Sequence, residues 1–196
     1  MTEKEYSTTL NGAALGLFEF KLIVRLIEDG LTDSEIREKV LNENLFQLKE
    51  SSTKRSLPYI LKRARTLDEK LRHLLLNNLN ETATQINIYA IMKNDLLFYE
   101  FMDELIKIKI QNNDLVYEKK DLNIFFNEKA DQSDTIAQWS ETTINRMKRA
   151  YNRLLIKMGY LDNFKSNALN RIYLDELLKN HLIKIGDKKY VEAMEG

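Results

Sequence analysis

TTINRMKRAYNRLLIKMGYL, residues 142–161, carries Arg146, Lys148, Arg149, Arg153 and Lys157 and not one acidic residue. Its apolar members Ile144, Met147, Tyr151, Leu154, Leu155 and Met158 recur at three- and four-residue steps, the spacing of one face of an α-helix. Arg146, Arg149, Arg153 and Lys157 follow the same steps on the opposite face. Ser140 stands where an N-cap hydroxyl is wanted, Trp139 is placed to staple onto Ile144, and Gly159 supplies a C-terminal stop. The spacing predicts one amphipathic helix with a cationic outer face.

A second acid-free run lies upstream. Residues 51–67 hold Lys54, Arg55, Lys62, Arg63 and Arg65. Leu57, Ile60, Leu61 and Ala64 share one helical face, with Arg55, Lys62 and Arg65 roughly opposite. Pro58 leaves two starts open, because a proline inside a helix costs about 3 kcal/mol. The helix begins near Ser56 with Pro58 in its first turn, or at Ser51 or Ser52 with a kink.

Each basic helix follows shorter helical patterns. Residues 15–29 read as a helix stopped by Gly30, and Thr32-Asp33-Ser34-Glu35 is a capping box that opens a helix over 33–41. Before the second basic helix, 116–121 reads as a short strand or turn, and 122–127 and 134–138 as short helices. The order helix, short helix, turn, basic helix therefore occurs twice, over 17–65 and 122–158. That is the order of a helix-turn-helix or winged-helix unit, whose last helix enters the DNA major groove. The groove is about 12 Å wide and admits one helix. Lys and Arg then reach phosphates, while Ser, Thr, Asn and Arg near the helix start reach base edges. The predicted DNA contacts are Arg146, Arg149, Arg153 and Lys157, with Thr142, Thr143 and Asn145 near the helix start. Arg55, Lys62, Arg65 and Lys54 come second, with Ser52 and Thr53 of suitable chemistry. The alternative is an interaction scaffold whose basic helices dock acidic partner proteins.

Between the basic runs, helical patterns cover 68–76, 81–93 (capped by Asn80) and 96–111 (capped by Asp95), and they hold the most apolar part of the chain. The organisation read from this is an N-terminal module over 1–67, a central helical core over 68–112, and a C-terminal module with a tail over 113–196. In the tail, two β-prone pieces at 171–174 and 188–191 flank a helix over 176–183 and suggest a small wing-like hairpin. The fold class is mostly α, with two helix-turn-helix or winged-helix-like modules joined by a helical core.

The 196 residues hold 30 Lys plus Arg against 30 Asp plus Glu, so the molecule is neutral and its cationic faces are local. One Pro and six Gly are too few for a turn-rich sheet protein. The absence of Cys excludes a disulfide, a zinc ribbon and a thiol nucleophile. His73 and His181 lack metal-ligand spacing, Glu100, Asp103 and Glu104 read as helix-surface charges beside Lys107 and Lys109, and Gly12 and Gly16 form no phosphate loop. The expectation is a non-enzymatic protein with no metal and no cofactor. Met1–Tyr6 carries charges of both signs, unlike a signal peptide, and the longest uncharged stretch, 6–18, falls short of the about 20 apolar residues that span a bilayer. A cytoplasmic protein without a membrane partner is expected. RNA fits less well, since side chains cannot read the narrow A-form groove and few exposed aromatics are expected near the basic faces.

LFEFKLIVRLIEDGLTDSEIREKVLNENLFQ (17–47), INIYAIMKNDLLFYEFMDELI (86–106) and WSETTINRMKRAYNRLLIKMGYL (139–161) resemble, in order and spacing, the BrxA family, a small component of BREX bacteriophage-defence systems. The resemblance covers residues 6–161. It implies an all-helical cytoplasmic protein with winged-helix-like modules that binds double-stranded DNA. It further implies work alongside other BREX proteins in a system that marks self DNA by methylation and restricts phage. The family offers no catalytic residues to carry over, and a homo-oligomer stays open.

Overall fold

The computed structural model describes residues 6–8, 10 and 16–196. The readings placed on 1–5, on Gly12 and on Leu15 as the first residue of a helix lie outside them. The chain is mostly helical and divides into two compact units. One is built from the described part of 12–94, the other from the described part of 1–11 together with 95–196. Residues 68–112 thus fall partly in each.

The first unit contains α1 (Leu17–Glu28), α2 (Asp33–Asn42), α3 (Glu50–Arg65), α4 (Glu69–Asn77) and α5 (Asn80–Asn94). Gly30 follows α1 at φ +86°, a backbone that glycine adopts without steric cost. The capping box is complete, with Thr32 accepting from the Glu35 amide and the Glu35 carboxylate accepting from Thr32. α3 starts at Glu50 and runs through Pro58, the earlier of the two starts that the sequence left open. The proline lacks the N–H that would bond the Lys54 carbonyl. Leu57, Ile60 and Leu61 are each 2% exposed. Burying a Leu or Ile side chain is worth about 1.5–3 kcal/mol, so these three outweigh the proline penalty.

The second unit contains α6 (Leu96–Glu100), a π-helical segment (Phe101–Ile106), α7 (Lys107–Gln111), α8 (Lys119–Gln132), α9 (Asp134–Ala137), α10 (Glu141–Met158), α11 (Glu176–Lys184) and α12 (Lys188–Glu195). α6, the π segment and α7 form one continuous rod. An aromatic cluster holds this unit together. The Tyr151 ring lies 5.1 Å from Phe98, 4.9 Å from Phe101 and 5.7 Å from Phe126, and Phe125 stands 5.6 Å from Phe101. Beside it, Lys129 is buried and pairs with Glu100 at 2.9 Å and Glu104 at 2.8 Å, while the Tyr6 hydroxyl donates to Glu100 at 3.0 Å. Burial works against the Lys129 charge, but the hydrogen bonds it donates to Glu104 and Glu100 outweigh that and hold its pKa above the usual lysine value.

The tail departs from the reading of a β-hairpin wing. Residues 188–191 are the start of α12 and 171–174 form no strand. Among the described residues the β-pairing is an isolated antiparallel bridge between Val116 and Ala168. Local β-propensity loses here to burial. Tyr190, Val191, Ala193 and Met194 are all buried, which a helix achieves with one face. Glu195 accepts from the Leu174 amide at 2.9 Å and pairs with Lys179 at 2.7 Å, and the Tyr160 hydroxyl donates to the Met194 carbonyl. α8 likewise outgrows the short helix expected over 122–127, because Phe125, Phe126 and Lys129 continue its buried face.

Candidate nucleic-acid interface

α10 is fixed at both ends and along one side. The Ser140 hydroxyl accepts from the Thr143 amide at 3.2 Å, and Gly159 closes the helix at φ +86°. Met147, Tyr151, Leu154 and Leu155 are buried in the core. With that face committed, the opposite face must point outward. Thr142, Arg146, Arg149, Arg153 and Lys157 are all exposed, and at 100° per residue they fall within roughly 80° of one another. From Arg146 to Lys157 the row extends about 16 Å along the axis. Arg146, Arg149, Arg153 and Lys157 make no ion pair among the described residues, so their charge is not cancelled locally.

The other predicted contacts on α10 behave differently. The Thr143 hydroxyl lies 3.0 Å from that of Ser140 and belongs to the cap. Asn145 is exposed and turns to the flank, where it lines a cleft with Lys148 and Arg149. Lys148 is half-buried, donates to Asn123 Oδ1 at 2.7 Å and sits 5.5 Å from the Phe126 ring centre. Burial, against a weaker pull from Glu141, holds its pKa below the usual lysine value.

α3 keeps less of its predicted face. Arg55 and Lys62 are exposed and make no ion pair among the described residues. Lys54, however, pairs with Glu50 one turn back, and Arg65 pairs with Asp33 at 2.6 Å. Arg63, counted in the basic run, is a core residue. It is 4% exposed, donates to Asn87 Oδ1 at 3.1 Å and lies over the Phe20 ring. Burial pulls its pKa down to about 10, against a smaller pull from Glu19. Thr53 is also buried and Ser52 half-buried, so the Thr53 hydroxyl cannot reach a base edge. The helical phase decides this: Thr53 shares the buried side with Leu57, Ile60 and Ala64.

The cleft on the α10 flank has a volume of about 400 Å³. α10, the first turns of α8 and the loop over 161–167 form its walls. Phe164 stands at its rim, 62% exposed. An exposed aromatic thus does stand beside the basic face, where few were expected. No local signal in the sequence places Phe164 there, because the loop reaches α10 through tertiary contacts.

Among the described residues, no group of three or more His, Cys, Asp or Glu is arranged to hold a metal ion, and no helix is long and apolar enough to cross a membrane. Glu100 and Glu104 close on Lys129 and Asp103 pairs with Lys107 at 2.9 Å, so these carboxylates serve in ion pairs.

Comparison with known proteins identifies the relationship. The BrxA family model matches residues 4–186. The chain belongs to the BrxA family. The BREX protein BrxA of Bacillus cereus is 33% identical over 196 residues, covering 99% of this chain and 98% of that protein. The BREX proteins BrxA of Paramagnetospirillum magneticum and Escherichia coli are 21% and 23% identical, covering 100% and 99% of this chain and 98% and 92% of those proteins. BrxA is a component of BREX phage-defence systems, so membership places the chain in antiviral defence. A crystal structure of a protein from Magnetospirillum magneticum superposes with a TM-score of 0.87 at 19% identity, covering 97% of this chain and 98% of that one, and it shares the fold.

Proposed function

We propose that this BrxA-family chain is a non-enzymatic, double-stranded DNA-binding component of a BREX defence system. The observation that carries the reading is the exposed row of Arg146, Arg149, Arg153 and Lys157 with no carboxylate partners among the described residues, on a helix whose other face is locked in the core. A row about 16 Å long suits the phosphates that border a groove about 12 Å wide. Phosphate contacts supply affinity with little sequence preference. Thr142 is the predicted contact on the same stripe that is free of the cap. α3 acts second, through Arg55 and Lys62, with Lys54 and Arg65 already paired. Each basic helix serves as the last helix of a helix-turn-helix-like module. The protein works in the cytoplasm with other BREX proteins.

The test is fluorescence anisotropy with a random-sequence duplex of about 30 base pairs at low salt. Wild type is compared with the Arg146→Glu, Arg149→Glu, Arg153→Glu variant, with circular dichroism to verify folding. Submicromolar binding that the variant loses is expected. A folded wild-type protein that fails to bind at low salt would overturn the reading. Loss of binding to a BREX partner alone, with duplex binding intact, would put the scaffold reading in its place.

A further inference from the structure

The cleft beside α10 has walls unlike an ordinary surface groove. Lys119, Lys148 and Arg149 bring positive charge to it, and among the described residues no acidic side chain lines it. The nearby carboxylates are engaged elsewhere. Asp121 accepts from the Glu118 amide and pairs with Lys109, Glu118 pairs with Lys120, and Asp162 accepts from Asn170 at 3.0 Å. Glu141 also acts on Lys148, and its pull is weaker than burial.

Carboxamides supply the rest of the polar lining. Asn123 and Asn152 are each oriented by one bond, Asn123 Oδ1 accepting from Lys148 at 2.7 Å and Asn152 Oδ1 accepting from the Tyr117 hydroxyl at 2.7 Å. Both amide oxygens are thereby turned to protein and both NH₂ groups are left as donors. Asn145 is exposed and keeps both functions. Carboxamides read nucleobase edges because they donate and accept at adjacent atoms.

The third wall is a pinned loop. The Tyr117 amide donates to the Asn167 carbonyl at 2.8 Å, the Leu169 amide to the Leu115 carbonyl at 2.9 Å, and the Asn170 amide to the Tyr160 carbonyl at 2.8 Å. Within it, Asn163 Oδ1 accepts from the Lys165 amide at 2.8 Å. This tethering holds Phe164 at the rim with its ring largely in solvent. An exposed aromatic beside cations is the arrangement on which unstacked bases lie. A volume of about 400 Å³ is within the usual range of small-ligand sites.

We infer that this cleft is a nucleotide pocket: one unpaired nucleotide enters, its base stacking on Phe164 and meeting the Asn123, Asn145 and Asn152 carboxamides, its phosphate held by Lys119, Lys148 and Arg149. A base inside an intact duplex cannot enter, since its faces are stacked and its pairing edge is occupied. The nucleotide comes from a DNA strand at a bulge, end or opened pair, or it arrives as a free monophosphate. The inference rests on the DNA-binding reading only for the first source, and Arg149 is the one residue shared with the phosphate row.

Two 30-base-pair duplexes containing 2-aminopurine test it, one fully paired and one with the 2-aminopurine as a single unpaired bulge, together with free 2-aminopurine deoxyribonucleoside monophosphate. Affinity is read by anisotropy of an end label and base environment by 2-aminopurine emission. The wild type is expected to bind the bulged duplex about tenfold more tightly than the paired one, within the range of a single base–aromatic stack, and to quench its emission. Phe164→Ala, a change at an exposed side chain, should erase that preference and leave paired-duplex affinity within twofold. Equal affinities with equal emission in wild type, or an unaltered preference in Phe164→Ala, would overturn the pocket. If wild type binds neither duplex, the DNA reading fails by itself. Quenching of the free monophosphate that Phe164→Ala abolishes then upholds the pocket, and its absence ends it.

Discussion

The salt dependence of duplex binding should divide between the two basic helices in a ratio set by their ion pairs. A cation that neutralises a phosphate releases condensed counterions and contributes about 0.9 to the negative slope of log K against log salt. Arg146, Arg149, Arg153 and Lys157 have no carboxylate to satisfy among the described residues, so the row should contribute about 3.6. That slope alone weakens binding roughly 150-fold between 50 and 200 mM salt. On α3, Arg55 and Lys62 can add about 1.8. Lys54 and Arg65 add less, because releasing Glu50 or Asp33 offsets the phosphate contact. The experiment is a set of anisotropy titrations from 50 to 300 mM salt on Gln substitutions. The set replacing Arg146, Arg149, Arg153 and Lys157 should flatten the slope by about 3–4, Arg55→Gln with Lys62→Gln by less than 2, and Arg65→Gln by a few tenths. Glutamine keeps helix propensity, and these side chains are exposed, so folding should be retained. A folded α10 variant with an unchanged slope, or an Arg65→Gln effect as large as that of Arg149→Gln, would refute the link between unpaired charge and phosphate contact.

Lys129→Met should destabilise the second unit by about 2–3 kcal/mol in thermal or urea unfolding, below the usual 3–5 for a broken buried pair because Glu104 is 49% exposed and can rehydrate. Adding Glu100→Gln should restore part of the loss. Because the folded pKa of Lys129 is raised above 10.5, its contribution is fully present below pH 10.5 and is lost as pH rises through the folded value, so the gap between Lys129→Met and wild type should narrow in strong alkali. Arg63→Met should cost less than about 1 kcal/mol or stabilise, since the buried guanidinium leaves Nη2 without a partner among the described residues, and duplex affinity should not change. A large loss of affinity there, with the fold intact, would return Arg63 to the binding face. Glu35 has its pKa lowered by the Thr32 hydrogen bonds, so the stability difference between wild type and Glu35→Gln should be present above pH 4.5 and vanish as pH falls through the lowered folded value. Urea unfolding of both proteins from about pH 3 to pH 7 checks it.

Helices with strong local signals were readable from the chain alone. α2 carries its capping box, α10 its N-cap serine, clean apolar stripe and terminal glycine, and α6 its Asp95 cap. These features act within one or two turns, so they survive without knowledge of partners. The π segment over Phe101–Ile106 carries no such local mark. Lys148 was visible as a member of the basic run, and Asn145, Lys148, Arg149 and Asn152 form a polar stripe at helical spacing that sequence could have offered as a second flank.

What the sequence by itself determined is the helical character of the chain, its neutrality, and the two acid-free runs that concentrate positive charge. The tertiary structure decided which of those charges are usable. It buried Arg63 and Thr53, paired Arg65 with Asp33, and left the α10 row open. It turned 188–191 from a β-prone piece into α12 and carried Phe164 to the flank of α10. The reason is range. Capping and periodicity are energies between residues a few positions apart, while ion pairing, desolvation and cleft formation depend on residues that only packing brings together.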